Sequence, residues 1–437
     1  MTSADVVSLF VYMTRDQQIL KIALPAIVTN ITVPLLGLVD TAIVGHMGSA
    51  AYIGAVAVGS MIFNLIYWVF GFLRMGTSGM TAQARGRRDM GEAARLLVRS
   101  GRLALMIALL IVVLQWPLRE GMLWFIGPSA DVRPLAVTYF NIVVWGAPAM
   151  LGLYSLSGWF IGMQNTRIPM LVSILQNVVN ILASLTFVYG LGMRVEGVAL
   201  GTVVAQYAGF AIAVAMLRKY YWRHLTWGRS SHLLTFSPSY FSSNRDIFLR
   251  TLCLVAVNLY FTAAGARQGA IILAVNTLLM QLYLLFSYIL DGFAFAGEAL
   301  GGKYWGARDM YAYHVIVRRL FGWGALMTVL FTVTYVVGGT PFLRLLTDEP
   351  LVVEASQAYV WWAYLIPVAG VAAFIWDGLF IGTTQTRGML ISSAIAALVF
   401  FGTATVATSF MGNHGLWLAM ILFLAVRGIV QTIISEE

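Results

Sequence analysis

Residues 24–48 read LPAIVTNITVPLLGLVDTAIVGHMG, and the chain is best understood outward from them. Between Ile22 and Val44 the only charged side chain is Asp40. A run of that length crosses a hydrocarbon core of about 30 Å at about 1.5 Å per residue. An ionised carboxylate in hydrocarbon costs several kcal/mol, so such a group is neutral, paired, or facing water. Pro25 and Pro34 precede it, and each removes a helix hydrogen bond and lets a spanning helix bend. A helix that can bend and carries one lone acid suits a proton- or cation-driven transporter. The plainer alternative is a structural acid hydrogen-bonded to a neighbouring helix.

Composition places the whole chain in lipid. Of 437 residues, 60% are hydrophobic and 10% charged, with a mean hydropathy of +0.83; soluble domains carry roughly 25% charged residues. The one cysteine, Cys253, excludes an internal disulfide or a thiolate metal cluster. No signal-peptide layout precedes the first span.

Apolar runs bounded by charge, Gly or Pro predict twelve spans, at 19–44, 52–78, 96–118, 134–157, 168–190, 196–217, 247–266, 271–300, 315–339, 354–380, 389–410 and 415–434. With the N-terminus in the cytoplasm, 20 of the 27 Lys and Arg fall on the cytoplasmic side, Arg250 among them. Five fall on the other side, and Arg74 and Arg427 lie within spans. The positive-inside rule then places both termini in the cytoplasm. The net charge of +9 is thus a topology signal and not a nucleic-acid footprint.

The chain also repeats. Gly158-x-Phe160-Ile161-Gly162-x3-Thr166-Arg167 recurs as Gly378-x-Phe380-Ile381-Gly382-x3-Thr386-Arg387, and Gly86-x-Arg88-Asp89-Met90 recurs as Gly306-x-Arg308-Asp309-Met310, both at an offset of 220. Six spans per half is an even number, so both halves enter the membrane in the same direction and a pseudo-two-fold axis along the membrane normal relates them. The expected organisation is an N-terminal lobe at 1–218, a cytoplasmic linker at 219–245, and a C-terminal lobe at 246–437. The pairs Arg88-Asp89 and Arg308-Asp309 read as loop fasteners.

LPAIVTNITVPLLGLVDTAIVGH at 24–46, FLRMGTSGMTAQARG at 72–86, NRDIFLR at 244–250, LDGFAFAGEALGGKYWGARD at 290–309, WDGLFIG at 376–382 and GNHGLWLA at 412–419 together resemble the multidrug and toxic compound extrusion (MATE) family, in its DinF-type branch. The resemblance implies an all-α membrane protein whose two six-helix lobes form a V. It implies an antiporter of the bacterial inner membrane, working as a monomer. Such an antiporter exports amphipathic, often cationic, small molecules against inward protons or sodium, with no other cofactor. In the family the acid of the first helix, here Asp40, is the coupling carboxylate. An Asn-x-x-Asn-x-x-x-Asp stretch on the fifth helix appears here as Asn177, Asn180 and Ser184, so the second acid is absent. Relatives that bind sodium carry acids on helices seven and ten of the C-terminal lobe. Here Asp246 stands only at the mouth of helix seven and Gly370 occupies the aligned position on helix ten, which argues against the sodium version.

Depth supports the grouping. At about 1.5 Å per residue, Asp40 lies about 7 Å below the outer end of its helix, Tyr139 and Thr202 about 8–9 Å in, and Asn180 about 15 Å below Gly190. The expected coupling set is therefore Asp40, Asn180, Tyr139, Thr202, Ser184 and Asn177, with protonation of Asp40 shifting the first helix between straight and bent forms at Pro25 or Pro34. Taken singly, each neutral member also fits a plain helix–helix hydrogen bond. Met61, Asn64, Gln281 and Tyr288 are expected to line the drug cavity, and Asp291 is the second acid to consider, for substrate or proton. Arg74 reads as a snorkelling side chain, and Glu298 and Asp377 as structural acids.

Two other classes are weaker. A flippase for a lipid-linked precursor wants cations lining the cavity, and Arg74 is the buried candidate that the sequence offers. A membrane-embedded enzyme wants an intramembrane His or paired acids, whereas all five histidines fall in loops or at span ends. No HExxH, no nucleophile–base arrangement and no P-loop is visible.

Overall fold

The computed structural model describes residues 14–45, 49–224, 238–346 and 349–436. Within them twelve helices are long and apolar enough to span a membrane. The first six are α1 Arg15–Gly45, α2 Ala50–Gly86, α3 Met90–Val113, α4 Arg133–Gly162, α5 Arg167–Gly190 and α6 Val195–Tyr220. The second six are α7 Pro238–Arg267, α8 Ala270–Gly306, α9 Met310–Gly338, α10 Val360–Thr383, α11 Thr386–Met411 and α12 Asn413–Glu436. Helices are the expected solution, because lipid offers no partner for an unpaired backbone group.

Two departures from the sequence reading have local causes. The third span stops at Val113, and Gln115–Ile126 forms a separate helix. Pro117 in its first turn lacks an amide hydrogen and its ring opposes the carbonyl four residues back, so α3 cannot continue through it. The seventh helix starts at Pro238, well before the predicted 247, because Pro fits a first turn. Asp246 therefore sits inside α7 and not at its mouth, with Arg250 one turn further along. Of the expected linker, residues 225–237 lie outside the described residues, as do His46 and His232.

Contacts divide the chain into two compact units, Val28–Tyr240 (the N-terminal unit) and Met1–Ile27 with Phe241–Glu437 (the C-terminal unit). The first helix therefore begins in one unit and ends in the other.

Each unit uses the repeated motif in the same way. A Cβ on Gly158 of α4 would lie 2.3 Å from the Arg74 carbonyl oxygen of α2, and one on Gly162 would lie 2.5 Å from that of Ser78. In the C-terminal unit a Cβ on Gly378 of α10 would lie 2.2 Å from the Ala294 oxygen of α8, and one on Gly382 2.8 Å from that of Glu298. The Gly-x3-Gly spacing puts both glycines on one helix face, so the backbones meet directly. The turns repeat too. Arg88 and Arg308 both adopt φ 58°, and the next residue caps the following helix: Asp89 Oδ1 accepts from the Glu92 amide at 2.8 Å and Asp309 Oδ1 from the Ala312 amide at 3.0 Å. The loop fasteners are N-caps. The halves also differ locally: α8 carries a π-turn at Gly297–Gly301, while α2 breaks at Phe70 and Gly71.

Gly158→Leu and Gly378→Leu should each abolish the folded peak in fluorescence-detected size exclusion. Gly101→Leu, where a Cβ meets nothing within 4 Å, should leave it within about twofold of the parent.

Candidate functional site

Asp40 is 2% exposed in the N-terminal unit. Its Oδ2 accepts a hydrogen bond from Thr202 Oγ1 of α6 at 3.1 Å, and Asn180 Nδ2 of α5 donates to that same oxygen of Thr202 at 3.4 Å. Thr202 has one hydroxyl hydrogen but a second acceptor in reach, its own Val198 carbonyl at 3.1 Å. It can therefore turn away from the carboxyl without losing a partner. Asp40 Oδ1, Asn180 Oδ1 and Ser184 Oγ are buried with no hydrogen-bond partner among the described residues. No ion pair among those residues includes Asp40.

Small residues make this arrangement possible. A Cβ on Gly201 would lie 2.2 Å from Ser184 Oγ and 2.9 Å from the Ser184 nitrogen, so α6 crosses α5 closely one residue before Thr202. Gly59 leaves room for the Tyr139 ring, whose carbons would come within 2.1 Å of a Cβ there. Tyr139 is buried, and its hydroxyl lies 3.3 Å from Ser60 Oγ.

The structure thus brings Asp40, Asn180 and Thr202 into one hydrogen-bonded chain, with Ser184 packed beside it against Gly201. Asn177 does something else: its Nδ2 donates to the Thr32 backbone carbonyl of α1 at 2.9 Å, two residues before Pro34. Met61 and Asn64 are exposed one turn apart on α2 of the N-terminal unit. Gln281, Tyr288 and Asp291 lie on α8 of the C-terminal unit, with Gln281 exposed and the other two half-buried. Ser287 Oγ donates to Asp291 Oδ2 at 3.3 Å.

The C-terminal unit contains a polar cluster with no counterpart around Asp40. Asp377 of α10 is flanked by Arg250 of α7, which donates to its Oδ2, and by Arg427 of α12, at 3.6 Å from the same oxygen. Gln431 Nε2 donates to Oδ1 at 2.6 Å. Both guanidiniums are buried, and that of Arg427 also lies 5.7 Å from the Phe374 ring centroid. Arg250, counted on the cytoplasmic side, and Arg427, placed within a span, are thus the buried cations here, rather than Arg74 alone as the sequence reading had it. No spacing could have shown this, because the three charges stand on three helices far apart in sequence. Asp246, expected at a helix mouth, is also buried, paired with Arg245 at 2.9 Å and accepting from Thr386 Oγ1 at 3.4 Å. Gly370 packs against Phe374 and Phe286. Among the described residues no three His, Cys, Asp or Glu gather to hold a metal ion.

A model of the MatE family matches residues 25–186 and again 247–406, one stretch in each half of the repeat. The chain belongs to the MatE family. Among curated MatE relatives, DNA damage-inducible protein F of Escherichia coli (strain K12) is 38% identical, covering 95% of this chain and 91% of that protein. A probable multidrug resistance protein NorM of Thermotoga maritima is 23% identical, covering 95% and 91%. The solved structure of a MATE in the bent conformation superposes with a TM-score of 0.86 at 18% identity, over 97% of this chain and 95% of that one, which shows the shared fold. As a MatE protein, the chain is a multi-pass membrane transporter of the multidrug-efflux family and not an enzyme.

Two outcomes follow from the two clusters. Asp377→Asn leaves two buried guanidiniums without a counter-charge and should cost about 3–5 kcal/mol of stability, whereas Arg427→Met leaves a neutral Arg250–Asp377 pair and should cost about 1 kcal/mol; thermal unfolding in detergent would rank them. Ser184→Asp should fail to add a second coupling acid and should lower the yield of folded protein severalfold, because Gly201 leaves the larger side chain no space.

Proposed function

We propose that this chain is a proton-driven exporter of amphipathic, cationic small molecules in a bacterial inner membrane, with both termini in the cytoplasm, and that Asp40 is the group that takes and releases the proton. The observation that carries this reading is the state of the carboxyl: buried, without a cationic partner among the described residues, and with Oδ1 unpartnered. A buried carboxyl in such a place is far less costly neutral than ionised. Its neighbours are adjustable neutral groups. Ionised, Asp40 accepts from Thr202; protonated, it becomes a donor, and Thr202 can return its hydrogen to Val198 while still accepting from Asn180. A change of charge is thereby converted into a rearrangement linking α1, α5 and α6, and α1 has Pro34 in the segment that must respond.

The name of one relative, a probable multidrug resistance protein, favours efflux of varied drugs. The buried cations do not favour a lipid-precursor flippase, since Arg250 and Arg427 are engaged by Asp377.

Efflux of a fluorescent cationic dye from proteoliposomes tests the reading. An imposed pH gradient alone should drive the parent, and Asp40→Asn should reduce the rate by more than about a hundredfold, to the leak; Thr202→Val should lower it about tenfold while Thr202→Ser retains most of it. Transport driven by a sodium gradient, or by Asp40→Asn under a pH gradient, would overturn it.

A further inference from the structure

Three helices of the N-terminal unit leave a gap along their shared length. Both α3 and α6 pack along α4 but touch each other little, so α4 forms the floor of a half-open groove of about 320 Å³ between them. Small residues hollow it out. A Cβ on Gly101 of α3 would meet nothing within 4 Å, and one on Gly152 of α4 would lie 2.6 Å from the Phe210 ring of α6, which rests on the bare backbone instead. The hydroxyl of Ser155 on the floor is bonded to Ser100 Oγ at 2.5 Å. Tyr207, at one end, donates its own to the Trp145 carbonyl at 2.9 Å. The rest of the lining is apolar. The rims continue into exposed apolar surface, with Leu105 and Leu109 of α3 at 52% and 53% and Val204 and Val214 of α6 at 41% and 39%. In a spanning segment such surface is met by lipid chains.

The groove has a length and a polarity. From Tyr207 to Leu217 helix α6 rises about 15 Å, half of a hydrocarbon core of about 30 Å, so the groove is as deep as one leaflet. Leu97, Leu156 and Leu217 close one end within a single buried cluster. Just beyond them Arg218 and Lys219 stand exposed in the last turn of α6. Arg218 continues, at four-residue spacing, the lining stripe of Phe210 and Val214. Neither cation enters an ion pair among the described residues. Their two charges exceed the roughly half unit of opposite charge at a helix C-terminus, so that end of the groove stays positive.

We propose that this groove binds one acyl chain of an anionic phospholipid, whose phosphate is held by Arg218 and Lys219. An empty apolar groove of this size forfeits the dispersion contacts of its lining. Water gains nothing there, because both hydroxyls are already bonded. A phospholipid supplies the two parts in the order in which the groove presents them, a chain of one-leaflet length and an anion at its end. Seated there, the chain takes the place of the direct packing that α3 and α6 lack, and braces both against α4. None of the lining residues belongs to the hydrogen-bonded chain at Asp40, so lipid binding is separable from coupling.

The test uses the full chain in phosphatidylcholine vesicles that hold a trace of a phosphatidylglycerol with a diazirine in its acyl chain. After irradiation, adducts are mapped on peptides by mass spectrometry. They should fall on residues 148–156 and 207–217, and excess unlabelled phosphatidylglycerol should displace them. Dioleoylglycerol, which has the chains without the phosphate, should not. Gly101→Leu, which fills the groove where there is open space, should lower these adducts about fivefold in folded protein. Gly402→Leu, at a glycine of α11 whose Cβ would also meet nothing within 4 Å, should leave them unchanged. Arg218→Gln with Lys219→Gln should weaken labelling about tenfold, whereas the charge-matched pair Arg318→Gln with Arg387→Gln should not. The proposal is overturned if the adducts on 207–217 do not saturate, if they survive Gly101→Leu, or if the two charge-variant pairs behave alike. It is overturned too if a fluorescent cationic dye displaces the label and phosphatidylglycerol does not, an outcome that would give the groove to cargo.

Discussion

A carboxylate inside a membrane must be neutralised, and the two units of this protein meet that demand in opposite ways. In the C-terminal unit Asp377 is met by two guanidiniums and an amide, all carried by the chain itself, so its charge is permanently balanced. In the N-terminal unit Asp40 is met by a hydroxyl that an amide supports, and by no cation among the described residues. In the proposed transport reading, neutralisation there comes from outside the chain, as a proton. The same duplicated six-helix scaffold thus carries one carboxyl paired with cations and another met by neutral groups among the described residues.

The scaffold was largely legible in the sequence. Twelve spans follow from the apolar runs, and the duplication follows from motifs repeated at a constant offset. What those motifs do was not legible. Gly158, Gly162, Gly378 and Gly382 stand out as a repeated pattern, but only the crossing of α4 with α2 and of α10 with α8 shows that each sits against a backbone carbonyl. The helix ends were misplaced where a proline could either stop a helix or begin one, as at Pro117 and Pro238. Composition does not distinguish these two uses; the backbone conformation around the ring does.

The candidate site was legible for a specific reason. Asp40 is conspicuous as a lone charge, and counting residues from the helix ends brings Thr202 to a similar depth and Asn180 within the same outer half. Depth says nothing about rotation, however. Asn177, one turn from Asn180, faces the backbone of α1 at Thr32 and not the carboxyl. The Arg250–Asp377–Arg427 cluster was missed because its members are separated by long stretches of chain and carry no motif. Arg250 and Arg427 both lay within predicted spans, but a span gives no rotation, so their convergence on Asp377 shows only in the packed structure.

The glycine crossings have a further consequence, for mutational tolerance. Where two helices touch through backbone atoms, packing freezes no side-chain rotamers, so the contact forms without the entropic cost that a leucine-lined interface incurs. The same contact has no flexible atom that can move aside, and an added methyl group there opposes a carbonyl directly. A layer of methionines or leucines can be repacked by its neighbours, but these crossings cannot. The least replaceable positions of each unit therefore include residues that bear no chemistry at all, lying away from the carboxyl that the transport reading depends on.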